Sequence, residues 1–219
     1  MKKFFVLALL FILPLVAYLF FASGVNNFGR LPILTEGISS LPTVKDIHEN
    51  PVFLENKITV LGFFGKHPEK MKGNAFNVNW VIYKPYHEFN DFQFVFLVDE
   101  QSREEAKDLY DEMSKTVDMQ DWYFVLVDEN ITQKLFNSLN TDLSLDENLS
   151  TPHVFIIDKN SNLRGRDDNP NPKGSEKVMY GYNTAKVGEL MNEMEDDIKV
   201  ILAEYRLELK KYKKEIQTQ

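Results

Sequence analysis

A chain of 219 residues, 43% of them hydrophobic and 13% aromatic, is long enough to bury one sizeable core. Its formal charge of -8 leaves no basic excess to neutralise phosphates, which argues against nucleic acid as a partner. The chain has no cysteine, so disulfides, thiolate nucleophiles and thiolate metal ligands are all excluded.

After Lys2 and Lys3 the sequence runs FFVLALLFILPLVAYLFFA, nineteen residues without a charge. That is close to the ~20 a membrane-spanning helix needs and longer than the apolar region of a cleaved signal. Residues 1–23 are expected to be an uncleaved anchor. The two lysines place the N-terminus in the cytoplasm and the rest of the chain on the extracytoplasmic, periplasmic side. Residues 24–40, rich in Gly, Asn and Ser, are expected to be a linker, and residues 41–219 to form one domain with its C-terminal helix.

Within that domain four apolar, β-branched and aromatic runs read as buried strands: Ile58 to Phe64, Phe92 to Val98, Trp122 to Val127 and Val154 to Ile157. Helical patterns separate them. Asn74 to Tyr83 forms the first, with Pro85 expected to end or kink it. Arg103 to Thr116 follows, opened by Ser102 with Glu105 as a capping box. The third, from Asn130 to Leu139, takes Asn130 as its cap. A turn at Lys159-Asn160-Ser161-Asn162 sends Leu163 to Arg166 back as a hairpin, and residues 167–175 read as loop. A long C-terminal helix, about Thr184 to Lys214, carries Val187, Leu190, Met191, Met194, Ile198, Ile201, Leu202 and Tyr205 on one face. No internal repeat is visible, and there is no phosphate-binding glycine loop, nucleophile elbow, HExxH or EF-hand pattern.

The order of strands and helices, with Phe63-Phe64-Gly65-Lys66-His67-Pro68-Glu69-Lys70-Met71-Lys72-Gly73-Asn74 at the first strand-to-helix junction, resembles the thioredoxin-like superfamily and, within it, the Sco/SenC family. That family reads F-F-T-x-C-P-x-x-C-P-x-M-x-x-N at this place. His67 stands where the first cysteine would be, and the second falls in a three-residue deletion. Val98-Asp99-Glu100, Ile156-Ile157-Asp158, Leu163-Arg164-Gly165 and Asp167 or Asp168 match further family segments. The resemblance implies an α/β thioredoxin-like fold: a central sheet of four or five strands flanked by helices, with an N-terminal transmembrane helix and a long C-terminal helix. It also implies a membrane-anchored accessory factor for cytochrome c oxidase assembly that has lost the copper-binding cysteines, with no enzyme activity and no cofactor. A protein partner in a respiratory membrane complex is expected.

Six residues are candidate binding positions: Lys66, His67, Glu69, Asp99, Pro152 and His153. Lys66 to Glu69 occupy the turn before a helix N-terminus, where free amides can hold an anion or a carbonyl. The resemblance brings Pro152 beside that turn and gives it a cis peptide bond. Asp99 and Asp158 end strands, on the side where open α/β sheets place ligands, and Asp128-Glu129 extends the acidic rim. Two other readings compete with the binding factor: a cysteine-free copper-handling protein using His67, His153 and Asp99, and an envelope protein of purely structural role. No metal site is assigned.

Overall fold

The computed structural model describes residues 10–14, 16, 30–89, 91–167 and 178–217, with residues 208–217 as backbone only. The anchor expected over residues 1–23 therefore lies largely outside the described residues, and Asp168 and the rest of the loop expected to residue 175 lie wholly outside them. Among the described residues no helix is long and apolar enough to cross a membrane.

The strands are β1 (Ile33–Thr35), β2 (Val44–Lys45), β3 (Pro51–Val52), β4 (Ile58–Gly65), β5 (Phe92–Asp99), β6 (Trp122–Val127), β7 (His153–Ile157), β8 (Leu163–Arg164) and β9 (Tyr182–Asn183). The helices are α1 (Lys72–Val78), α2 (Lys84–Tyr86), α3 (Arg103–Ser114), α4 (Glu129–Ser138), α5 (Val187–Glu189) and α6 (Glu195–Gln217). Among the described residues one sheet has seven strands in the order β1-β8-β7-β4-β5-β6, with β9 also on β7, and β2 and β3 form a separate hairpin. Strands β4, β5 and β6 are parallel, while β7 runs antiparallel to β4. The four apolar runs are thus four adjacent strands, β7-β4-β5-β6, with β6 at the sheet's edge. The extra strands are two or three residues long, too short to show a period.

One of them corrects the expected linker. Ile33 pairs with Arg164 and Leu31 and Ile38 are buried, so the stretch from Leu31 to residue 40 is part of the domain. Its apolar residues lack strand periodicity because a bulge between Ile33 and Thr35 shifts the register.

Alternation along the strands feeds two apolar layers. Val60, Phe94, Phe96, Trp122 and Phe124 face α1, α3 and α6, whereas Leu61, Phe63, Val95, Leu97 and Phe155 face α4 and the β2–β3 hairpin. The Trp122 ring stacks on Phe96 with centroids 4.5 Å apart.

Both long helical segments contain a π turn. Between α1 and α2, over Asn79–Tyr83, the Lys84 N–H donates to Asn79 five residues back. Pro85 sits inside α2, which ends one residue later at Tyr86: it lacks an N–H and needs room for its ring, and the widened turn just before it supplies that room. The second π turn, Leu190–Met194, joins α5 to α6, with the Glu195 N–H donating to Leu190. It rotates the expected apolar face. Leu190, Met194, Ile198 and Ile201 are buried, but Val187 is 41% and Met191 54% exposed. Thr184 lies before the helix in a turn of its own.

Two expected caps also differ. Asp128, not Asn130, caps α4, accepting the Ile131 N–H at 2.8 Å. Ser102 makes no capping bond, because its hydroxyl donates to the Lys66 carbonyl at 2.7 Å.

A single loop design occurs three times. Asp46, Asp146 and Asp158 each accept, on one carboxylate oxygen, the backbone N–H groups two and four residues on. The other oxygen takes the side chain of Asn50, Ser150 or Asn162. The residue between, Glu49, Leu149 or Ser161, has φ between 60° and 68°.

Candidate functional site

The candidate turn begins where β4 ends. Gly65 has φ +61°, and a Cβ there would lie 1.9 Å from the Asn148 carbonyl oxygen, so the backbone needs glycine on both counts. The close approach is used: the Lys66 N–H donates to Asn148 at 2.9 Å. The Asp146 loop thus packs directly against the turn. Burial pushes the Asp146 carboxyl up, but hydrogen bonds from Ser150 and Asn148 outweigh it and hold the group below its ordinary value.

Lys66 is held from three directions, by Asn148 at its N–H, by Ser102 at its carbonyl and by Glu129 at 3.4 Å from its Nζ. His67 is half-buried and precedes a short 3₁₀ turn, Pro68–Met71, with Pro68 buried at its first position. The His67 carbonyl accepts from Lys70. This compact turn precedes α1 and separates Lys66–Glu69 from the N-terminus of the regular helix. Glu69 is exposed and lies 3.5 Å from Lys72, which also meets Glu112 at 2.6 Å. The hydrogen bond to Glu112 raises the Lys72 ammonium above its ordinary value.

Asp99, one residue beyond Val98, which stands opposite Gly65, caps its own chain by accepting the Gln101 N–H at 2.9 Å. Pro152 is exposed, and its peptide bond is trans, since the described residues contain no cis peptide. The expected cis bond is therefore corrected. Two hydrogen bonds hold the Pro152 carbonyl instead, from the Thr184 N–H at 2.8 Å and the Thr184 hydroxyl at 2.7 Å. Asn74 in turn donates to that hydroxyl at 2.7 Å, and Asn77 to the Thr184 carbonyl at 2.9 Å. Next to Pro152, His153 is half-buried on β7, opposite Asn183, with its Nδ1 3.3 Å from the Thr151 hydroxyl.

The fold gathers Lys66, His67, Asp99, Pro152 and His153 at one end of the sheet. The Thr151 N–H donates to Phe63 at 3.1 Å, and Gly65 stands opposite Val98 in the neighbouring strand. Asp158 is not among them. Because β7 runs antiparallel to β4, its last residue is followed by Asp158 at the opposite pole, where it is buried against Arg164. Nor do the gathered residues make a ligand set: among the described residues no group of three or more His, Asp or Glu side chains is placed to hold a metal ion. Lys66 and Asp99 spend their charges on Glu129 and on a turn. What remains chemically is a rim of half-buried imidazoles, a backbone turn and no thiol.

Sequence reading missed Asn148, Thr184 and Asn77. The Asp-x-x-x-Ser spacing at Asp146 and Ser150 carried a signal for the first; nothing local linked Thr184 to Pro152.

The parallel β4–β5–β6 core, antiparallel β7 and β8 and flanking helices define a mixed α/β, thioredoxin-like fold. No protein-family model matches the sequence, and no curated protein matches it. Among solved structures, the SCO1/SenC family lipoprotein from Bacillus anthracis str. Ames aligns over 78% of this chain and 95% of its own, with a TM-score of 0.51 at 16% identity. BsSco, a member of the Sco family of cytochrome c oxidase assembly proteins, covers 77% and 92% with a TM-score of 0.48 at 11% identity. A putative electron transport protein from Aquifex aeolicus VF5 covers 76% and 96%, with a TM-score of 0.49 at 16% identity. The likeness to the Bacillus anthracis protein is one of fold.

Proposed function

We propose that this chain is a Sco/SenC-like, non-redox binding factor that works near cytochrome c oxidase assembly, tethered by its N-terminal segment with the domain on the extracytoplasmic side. It acts by holding a protein partner in a respiratory membrane complex, and it is not an enzyme. The observation that carries the reading is the junction after β4. The thioredoxin-like sheet is complete around it, yet Gly65-Lys66-His67-Pro68 stands where the resemblance puts thiols, and Asn148, Ser102 and Glu129 fix it as a shaped surface. A fixed backbone rim with exposed Pro152 suits recognition of another chain better than group transfer. The alignment with the SCO1/SenC family lipoprotein supports the fold half of this proposal.

The test is affinity purification of the tagged full-length chain from its own membranes, with a deletion strain assayed for oxidase activity. Recovery of oxidase subunits and a fall in assembled oxidase are expected. Normal oxidase in the deletion strain, with no oxidase subunit recovered, would sink the proposal.

A further inference from the structure

The β2–β3 hairpin covers the outer edge of β6 incompletely. Asp46 bridges Val125, and the Ile47 N–H donates to the Phe124 carbonyl at 2.9 Å, but among the described residues no second bridge follows. Beyond that bridge an open groove of about 630 Å³ lies between Val44 on one wall and Leu126 and Ile131 on the other, with Lys45 and Arg103 at its rim. A smaller hollow of about 220 Å³ continues it, past the shared Pro42 and Ile131, to Lys134 on α4. Val44 is buried and Leu126 and Ile131 are half-buried, so the floor is apolar. A sheet edge left partly uncovered is a template for an extended chain.

Charge selects the kind of chain. At the rim one Glu49 carboxylate oxygen accepts from Arg103 at 2.9 Å and the other from Lys45 at 3.2 Å. Arg103 also donates through Nη1 to the Ile47 carbonyl at 3.2 Å, which fixes its guanidinium beside the groove. The bonds from Lys45 and then Arg103 hold the Glu49 carboxyl below its ordinary value. Yet the Glu49 side chain is 57% exposed, and ion pairs that exposed are weak. Glu49 is therefore an exchangeable occupant of a two-cation clamp. At the other end Lys134 meets no carboxylate among the described residues. In a chain with 33 acidic and 25 basic residues, three cations facing only Glu49 and Glu100 along one groove reverse the prevailing sign. The nearby Asp128 and Glu129 are already committed, to the Ile131 N–H and to Lys66 and Gln133.

We propose that this groove binds an extended acidic segment of a partner protein. One carboxylate of that segment replaces Glu49 on Lys45 and Arg103, its apolar side chains cover Val44, Leu126 and Ile131, and a second acid reaches Lys134. Successive side chains of an extended chain point to opposite faces, so alternating apolar and acidic residues meet floor and rim in turn. Glu49 is then a built-in competitor, which closes the clamp to weak ligands. The groove adjoins the Lys66 turn through Ser102, the residue before Arg103, but the proposal stands whichever complex the partner belongs to.

The probe is a fluorescein-labelled hexapeptide of alternating leucine and aspartate, titrated by anisotropy against the full-length chain in a neutral detergent, beside the same peptide with asparagine for aspartate. The aspartate peptide is expected to bind saturably, at least about tenfold more tightly than the asparagine one, and to shift the amides of Val44, Leu126 and Ile131. Arg103→Gln is expected to weaken it about tenfold, and added salt to weaken it in the native chain. Glu49→Gln is expected to tighten it several-fold, because the competitor loses its charge. A Glu49 that only fastened its loop would leave the affinity unchanged or lower it. Thermal unfolding of each variant separates a lost contact from a lost fold, and if Arg103→Gln does not fold, Glu49→Gln still decides. Equal binding of the two peptides, no saturable binding by the native chain, or an affinity in Glu49→Gln no higher than native overturns the proposal, as do amide shifts confined to other faces. Recovery of oxidase subunits does not enter this readout, so failure of the groove and failure of the oxidase reading are seen separately.

Discussion

Arg164 and Asp158 form an ion pair at 3.0 Å with side chains 4% and 1% exposed, and through it the β7–β8 hairpin, the N-terminal strand and the C-terminal helix meet at one point. All three guanidinium nitrogens donate: Leu31 and Glu204 take the two that Asp158 does not. Asp158 also holds the hairpin turn through Asn160 and Asn162. Removing Arg164 alone leaves a buried carboxylate without its cation. Arg164→Ala is expected to cost about 3–5 kcal/mol in urea unfolding. A loss below ~1 kcal/mol would show that the pair does not hold the three segments together.

Gly65→Ala tests the closed turn. The left-handed backbone alone costs a side chain about 1–2 kcal/mol, and the Asn148 carbonyl adds a clash that only a shift of the Asp146 loop can relieve. The expected result is a drop in the unfolding midpoint with altered amide shifts in residues 146–150. By contrast Gly73→Ala, where nothing lies within 4 Å of the new methyl, is expected to be neutral or stabilising in α1.

The start of α4 separates a cap from its neighbour. Asp128→Ala removes the bond to the Ile131 N–H and is expected to lose about 1 kcal/mol. Asn130→Ala, inside the first turn and exposed, is expected to change stability by less than ~0.5 kcal/mol. Equal losses at both would contradict the assigned helix start.

Asp146 gives the acid limb of stability a definite sign. Its folded carboxyl is depressed below the ordinary 3.8, so the ionised form favours the folded state. That contribution is fully present above the unfolded value and is lost as pH falls through the folded one. Unfolding midpoints measured from neutral pH into the acid range should therefore converge between the native chain and Asp146→Ala as the group protonates. Curves that stay parallel throughout would remove Asp146 from the acid response.

Copper and zinc titration of the full-length chain in detergent addresses the metal-handling alternative. With Asp99 committed to Gln101 and no third ligand near His67 and His153 among the described residues, stoichiometric micromolar binding is not expected. One-to-one binding lost in both His67→Ala and His153→Ala would establish a rebuilt ligand set and displace the binding-factor reading.

By itself the sequence determined the sheet's centre, because Ile58 to Phe64 and Phe92 to Val98 are buried on both faces and show it as apolar runs broken only by Thr59 and Gln93. Composition also determined the absence of thiol chemistry. The thrice-used aspartate loop was readable in principle as Asp-x-x-x-Asn or Ser, since its hydrogen bonds are local. Only the tertiary structure decided the rest. Strands of two or three residues carry no period, so β1 and β9 exist because β8 and β7 present open edges to them. The π turn over Leu190–Met194 displaces Val187 and Met191 from the face that a regular 3.6-residue count assigns them. The antiparallel direction of β7 sends Asp158 to one pole and His153 to the other, a separation that depends on strand pairing between distant segments and that no local pattern encodes.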